Sequence, residues 1–311
     1  MNTNLRVIFL GTPDFAVESL KHLIEGGINI VAVVTAPDKP AGRGMLLQQS
    51  PVKKYALSQN IPVLQPEKLK SVDFISTLKS FNADLQVVIA FRMLPEVVWN
   101  MPRLGTINLH ASLLPDYRGA APINWAVING EKVTGVSTFL LKHEIDTGDI
   151  IDKREVNIGE TTTAGELHDE LMKVGAEVIL DSVKKIESGN YSPIPQANTS
   201  TKIAPKIFTQ QCQINWQKTG SEVFNQIRGL SPYPGAFTHI GNSIFKIYAC
   251  NFIQASHNPE IQPGKIFVNR EKPAFIRFAV ADGWIEATDV QLQGKKRMKA
   301  DELLRGWRMD D

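Results

Sequence analysis

The sequence predicts an α/β protein: an open, Rossmann-like, mostly parallel sheet with helices on both faces, followed by a small C-terminal β-barrel. Three observations predict it. Short apolar runs alternate with helical periodicity through the first part of the chain. A polar segment with three prolines follows at residues 190–207. Five short β-like runs, separated by Gly and Asn/Asp turns, then crowd into about 90 residues.

The elements can be justified in order. Leu5–Leu10 is a near-continuous apolar run ending at Gly11, as expected of a parallel strand covered on both faces. Asp14 is a candidate N-cap for a helix running to Glu25 and stopped by Gly26-Gly27. Ile28–Val34 is a second buried strand, and Ala36–Ser50 a polar, Gly/Pro-rich connector. A short helix is expected at Val52–Gln59, and strands at Leu85–Ala90, Thr106–Leu109, Gly135–Leu141 and Ile150–Val156. Ala164–Ser188 has apolar positions at helical spacing. Beyond the polar segment, a short helix near Glu222–Arg228 precedes strands at Ala236–Ile240, Ile244–Cys250, Lys265–Val268, Ala274–Val280 and Ile285–Val290. That count suits a barrel of the oligonucleotide-binding type. The expected division is a first domain over 1–189, a linker over 190–207 and a barrel over 208–311.

Composition agrees with an ordinary globular protein. Of 311 residues, 43% are apolar and 21% charged. No apolar run approaches the ~18 residues that span a bilayer, and no secretory leader is expected from the first residues. Cys212 and Cys250 match no disulfide framework or metal spacing, which points to two structural thiols in a reducing cytoplasm. Residues 1–204 carry 20 Lys+Arg against 22 Asp+Glu, and residues 205–311 carry 14 against 10. The second part is therefore mildly basic, as suits a module that meets a polyanion.

Gly11-Thr12-Pro13 stands where a dinucleotide fingerprint would begin, but Pro13 and Ala16 replace the second and third glycines. A plain strand–helix turn is expected there. The informative stretch is Asn108-Leu109-His110-Ala111-Ser112-Leu113-Leu114-Pro115, then Tyr117-Arg118-Gly119-Ala120-Ala121-Pro122. Asn108 and His110 are two apart at the end of a strand, so they share one face. They lie at a carboxyl end, where open α/β sheets hold ligands. Asp146-Thr147-Gly148-Asp149 adds a carboxylate in a turn. A turn Asp alone, or a single His alone, is usually structural. The combination is not.

The series N-L-H-x-S-L-L-P-x-x-R-G-x-x-P, with D-T-G-D some 30 residues on, resembles the folate-dependent formyltransferases. The core of that resemblance covers residues 1–190. It implies the formyltransferase fold, 10-formyltetrahydrofolate as formyl donor and co-substrate, and no metal. Asn108, His110 and Asp146 match the family's catalytic triad. Ser112, Leu113, Leu114 and Pro115 match its folate-contacting loop, and Phe91, Arg92, Met93 and Leu94 bound the pocket implied for the pterin. The residue types suit the chemistry. Asn108 can donate an N–H to a developing oxyanion, and a protonated His110 adds a charge-assisted donor. Asp146 would hold His110, favour its cation and relay the amine proton. Phe91-Arg92 stands where many relatives carry Tyr-Gly, and Glu144 where they carry Gly. Both departures flank the folate pocket.

The acceptor is read from a second set of motifs. Thr35-Ala36-Pro37-Asp38-Lys39-Pro40-Ala41-Gly42-Arg43-Gly44 resembles the loop of the formyltransferases that act on methionyl-tRNA. Lys202–Ile207, Ile214-Asn215-Trp216, Ile227–Leu230 and Tyr233–Ala236 resemble that subfamily's C-terminal region, extending the match over nearly the whole chain. Lys39, Arg43 and Lys206 are the implied tRNA contacts, and initiator methionyl-tRNA the implied partner. The alternatives are a nucleotide-sugar formyltransferase, which usually lacks P-D-K-P-x-G-R-G, a hydrolase that deformylates the donor, and a non-catalytic RNA-binding protein.

Overall fold

The computed structural model describes residues 5–41, 46–197, 202–255 and 261–308. In chain order the first elements are β1 (Arg6–Gly11), α1 (Asp14–Glu25), β2 (Asn29–Val34), β3 (Lys39–Ala41), β4 (Leu46–Gln48), α2 (Pro51–Ser58), β5 (Val63–Leu64), α3 (Val72–Ser80), β6 (Leu85–Ile89), α4 (Glu96–Trp99) and β7 (Thr106–His110). There follow β8 (Arg118–Gly119), α5 (Pro122–Ile128), β9 (Val133–Leu140), β10 (Ile150–Asn157), α6 (Ala164–Glu187) and β11 (Ile203–Ala204). The last part holds α7 (Gly220–Gly229), β12 (Ala236–Ile240), β13 (Ser243–Gln254), β14 (Ile266–Asn269), β15 (Phe275–Val280), β16 (Gly283–Leu292), β17 (Met298–Lys299) and α8 (Ala300–Gly306).

By packing, the chain divides into two units. The first comprises Met1–Gly119, Thr134–Val156 and His168–Ile203; the second comprises Ala120–Val133, Asn157–Leu167 and Ala204–Asp311. The grouping follows packing and is not continuous along the chain. Two earlier stretches, Ala120–Val133 and Asn157–Leu167, pack with the C-terminal part.

The first unit is built on a seven-stranded sheet in the order β10-β9-β7-β6-β1-β2-β5. The pairs β1–β2, β1–β6, β2–β5 and β6–β7 are parallel, and β7–β9 is antiparallel. The unbroken apolar runs are explained by this topology, since all five residues of β6 are buried. On one face Ile8, Leu10, Val34 and Val88 pack with Phe74, Leu78 and Val98 from α3 and α4. Gly11 lets α1 sit close on the sheet, because a Cβ there would lie 2.7 Å from that of Ala16. Pro13, not Asp14, is the N-cap of α1 and makes no side-chain cap. Asp14 instead puts its charge in the first turn, where the helix dipole favours it. The expected connector Ala36–Ser50 contains an antiparallel hairpin, with Lys39 opposite Gln48.

The second unit is a barrel-like antiparallel sheet, ordered β12-β13-β16-β15-β14 with β17 on β16. Phe245, Ile247, Ile276, Phe278, Ile285 and Val290 fill it, with Val223 and Ile227 of α7 and Leu303 and Leu304 of α8. Trp216 stacks on Phe278 at 4.6 Å. Thr219 and Glu222 form a reciprocal capping box at the start of α7. Helix α5 belongs to this unit through Asn124, whose Nδ2 donates to the Gly229 carbonyl at 2.8 Å. Gly229 permits that approach, since a Cβ there would meet Ile128 at 2.5 Å. Arg228 is buried and donates to the carbonyl of Thr162 at 2.8 Å.

Candidate active site

Strand β7 is central, between β6 and β9. Asn108 lies opposite Val88 on one side and Phe139 on the other, and His110 lies opposite Ser137. Both polar residues therefore share one face at the carboxyl end of the strand, as the spacing predicts. His110 is buried and Asn108 half-buried. Among the described residues none bonds the Asn108 side-chain amide, which leaves its N–H groups available to a ligand.

The loop after β7 folds back on His110. Ser112 Oγ donates to the Asp116 carbonyl at 2.6 Å, and Ser137 Oγ bridges the Ser112 carbonyl and the Leu114 amide at 2.7 and 3.0 Å. Lys153 Nζ donates to the Leu114 carbonyl. So anchored, the loop brings the Tyr117 carbonyl to 2.8 Å from His110 Nε2, with Tyr117 in the left-handed region at φ 59°. A carbonyl only accepts, so Nε2 carries a proton.

Asp146 arrives from the turn between β9 and β10, also left-handed at φ 55°. Its Oδ2 accepts the Gly119 amide at 3.0 Å and lies 3.8 Å from His110 Nδ1. That separation is an ion-pair distance, too long for a hydrogen bond. The ring is thus hydrogen-bonded to the Tyr117 carbonyl and not to Asp146, whose carboxylate lies beside Nδ1. The turn itself is tightly drawn. A Cβ on Gly148 would lie 1.5 Å from the Leu140 carbonyl oxygen, so only glycine fits there. Lys142 pairs with Asp149 at 2.7 Å, and Thr147 Oγ1 donates to the Glu144 carbonyl at 3.0 Å.

The arrangement joins one uncommitted amide donor, one imidazole fixed in orientation and one carboxylate, at the carboxyl end of a central strand. It suits stabilising an oxyanion and moving a proton. The formyl transferase domain model matches residues 5–183, and the C-terminal domain model of formyl transferases matches residues 206–308. The chain belongs to the formyl transferase family.

Its relatives named methionyl-tRNA formyltransferase match over nearly their full length. That of Bacteroides thetaiotaomicron is 51% identical, covering 99% of this chain and 97% of its own. That of Phocaeicola vulgatus is 52% identical, with 99% and 97% covered. Among solved structures, the sugar 3N-formyl transferase WlaRD, in the presence of dTDP and 5-N-formyl-THF, superposes with a TM-score of 0.67 at 20% identity, covering 94% of this chain and 99% of its own. HypX of Aquifex aeolicus, in complex with tetrahydrofolic acid, gives 0.66 at 17% identity, covering 97% of this chain and 47% of its own. At those identities the likeness is one of fold.

The other expected site residues of this formyl transferase fall into two groups. In the folate-loop stretches, Ser112 and Leu114 are fully buried, and Leu94 packs in the sheet core. Leu113, Pro115 and Phe91 are half-buried, and Met93 is exposed. Arg92 turns back on the protein, donating to the carbonyls of Pro66 and Glu67, with its guanidinium 5.6 Å from the Phe91 ring centre. Of the acceptor residues, Lys39 is exposed on β3, and Lys206 is exposed in the second unit with Nζ 5.6 Å from the Phe208 ring centre. Arg43 lies outside the described residues.

The hairpin that precedes and follows Arg43 has a fastened base. Lys53 Nζ meets Asp38 Oδ2 at 2.6 Å, Gln65 Nε2 donates to Asp38 Oδ1 at 2.7 Å, and Thr35 and Ser50 share a hydroxyl bond of 2.7 Å. The hydrogen bonds from Lys53 and then Gln65 hold the Asp38 carboxyl below the usual carboxylate range.

The sequence reading missed Gln196. Its side chain bonds Arg118 and the carbonyls of Asp146 and Gly148. A lone glutamine in a segment read as a linker carries no pattern by which it could have been found. Among the described residues no His/Cys/Asp/Glu group could hold a metal ion, and no helix is long and apolar enough to cross a membrane.

Proposed function

We propose that this formyl transferase moves the formyl group of 10-formyltetrahydrofolate to the α-amino group of initiator methionyl-tRNA, giving N-formylmethionyl-tRNA for translation initiation. The observation that carries the reading is the extent of the match. Relatives bearing the name methionyl-tRNA formyltransferase are 47–53% identical over at least 97% of this chain, whereas the sugar formyl transferase above is 20% identical. Retention of Asn108, His110 and Asp146 favours an enzyme over a non-catalytic RNA-binding protein.

Asn108, His110 and Asp146 are the residues assigned to the chemistry. The amine attacks the formyl carbon and charge develops on the formyl oxygen. Asn108 donates its uncommitted N–H to that oxygen. His110, fixed through Nε2 by the Tyr117 carbonyl, presents Nδ1, with the Asp146 carboxylate 3.8 Å away. Asp146 takes up the proton lost by the amine, directly or through water, for delivery to the departing folate nitrogen. The segments Phe91–Leu94 and Ser112–Pro115 receive the donor largely by backbone groups. Lys39, Arg43 and Lys206 serve the phosphates and bases of the tRNA. A cytoplasmic setting goes with this reading, in which Cys212 and Cys250 have no call to pair.

The test supplies one formyl donor with charged initiator tRNA or with a nucleotide amino-sugar and measures the formylated product. Formylation of methionyl-tRNA is expected. Turnover with the amino-sugar alone, or consumption of the donor without transfer, overturns the reading.

A further inference from the structure

We infer that Gln196 is a positioning residue of the active site, acting through Asp146. The inference rests on the role proposed above for Asp146. Gln196 lies between the two family matches, which cover residues 5–183 and 206–308, in a stretch whose composition reads as a linker. Its side chain does not behave as a linker's. Nε2 donates to the Asp146 carbonyl at 2.9 Å and to the Gly148 carbonyl at 2.7 Å. Oε1 accepts from Arg118 Nε at 3.1 Å and Arg118 Nη2 at 2.6 Å. Both ends of the amide are thus used, each twice.

These four bonds join the two loops that form the site. Arg118 lies between Tyr117, whose carbonyl holds His110, and Gly119, whose amide holds Asp146 Oδ2. Asp146 and Gly148 belong to the opposing turn. Gln196 therefore locks the spacing between the group that fixes the imidazole and the group that fixes the carboxylate. Asp146 also adopts a left-handed backbone at φ 55°, a conformation that costs a non-glycine residue and persists only when its surroundings over-determine it. The Gln196 amide supplies that constraint on the Asp146 carbonyl. The segment is tied down on its own account, since Ile194 and Ile150 exchange two backbone hydrogen bonds of 2.8 Å.

The chemistry of the amide is specific. Methionine matches its length and makes none of the four bonds. Glutamate accepts from Arg118 but turns a carboxylate oxygen on two carbonyl oxygens. Asparagine keeps the donor and acceptor but shortens the reach.

The test is a double-mutant cycle on the full chain, with formyl transfer to methionyl-tRNA as readout. Gln196→Met is expected to lower kcat by roughly 10- to 100-fold, the scale of a misplacement of about 1 Å at a reacting group. KM for the tRNA and donor affinity change less, and Tm shows the protein folded. In an Asp146→Asn background the same substitution should cost less than about 3-fold, because the group it positions is already disabled. Gln196→Asn should recover part of the kcat loss and provides the comparison if the methionine variant is unstable. Unchanged kcat, or losses that multiply in the double variant, overturns the inference. If wild type transfers no formyl group, or Asp146→Asn leaves kcat intact, the proposed function or the role of Asp146 fails instead, and the cycle distinguishes these outcomes.

Discussion

The His110 imidazole is held by the backbone of Tyr117 and not by the side chain of Asp146: Nε2 meets the Tyr117 carbonyl at 2.8 Å, while Nδ1 stands 3.8 Å from the Asp146 carboxylate. The ring's orientation is consequently set by the loop after β7, which Ser112, Ser137 and Lys153 anchor. Ring and carboxylate are therefore held by different groups, and the variants below probe them separately.

His110→Ala is expected to lower formyl transfer by roughly 10²-fold or more, the loss typical of removing an oxyanion donor. Donor affinity and Tm should change little. Near-normal turnover by a folded variant would remove His110 from the chemistry.

Asp146→Asn keeps the shape and the Gly119 bond acceptor but loses charge and proton capacity. Turnover should fall comparably, with tRNA and donor binding less affected. Because Asp146 does not hold the imidazole, the ring should keep its orientation in the variant, which a structure of Asp146→Asn would show. Lost binding with intact single-turnover chemistry would make Asp146 a ligand-binding residue.

Gly148→Ala tests the turn that delivers Asp146. A Cβ at 1.5 Å from the Leu140 carbonyl oxygen cannot be accommodated without backbone movement. Destabilisation of about 3 kcal/mol or more is expected, read as a lower denaturation midpoint. Wild-type stability would show that the turn is far more pliable than its geometry suggests.

The β3–β4 hairpin and its fastened base predict a selective effect on the acceptor. Arg43→Ala should raise KM for methionyl-tRNA and leave donor affinity unchanged, with Arg43→Lys restoring only part because lysine lacks the planar fork. Asp38→Asn, which removes the charge facing Lys53, should act in the same direction more weakly. The Asp38 carboxyl is held below its ordinary value, so this anchorage is present at neutral pH and is lost only as pH falls through that lowered value. Initial rates against tRNA concentration decide the matter. Wild-type tRNA kinetics for Arg43→Ala would withdraw the hairpin from acceptor recognition.

A chain cut after residue 207 should be less stable than its composition suggests. Ala126 and Val127 of α5 are buried, and α5 packs on α7 through Asn124 and Ile128. The cut exposes that face, and a lower Tm with increased dye binding is expected. A fragment as stable as the full chain would show that residues 120–133 find other partners.

The long or strongly patterned elements were legible in the sequence. Parallel strands covered on both faces read as unbroken apolar runs, which located β1, β2 and β6. The 24 residues of α6 carry enough turns to show a helical stripe. Asn108 and His110 could be assigned to one face because strand side chains alternate with period two. Their residue types, with Asp146, pointed to the reaction. Tertiary structure alone decided how these groups are held. The Tyr117 carbonyl on His110, the Gly119 amide on Asp146 and the Gln196 amide on the Asp146 carbonyl are contacts between backbone groups and residues as many as 50 positions apart. Backbone groups are chemically alike in every residue, so no side-chain pattern announces which of them will be used. The allegiance of α5 to the second unit was hidden for a similar reason. Periodicity reports that a face will be covered, whereas the element that covers it depends on the path of the whole chain.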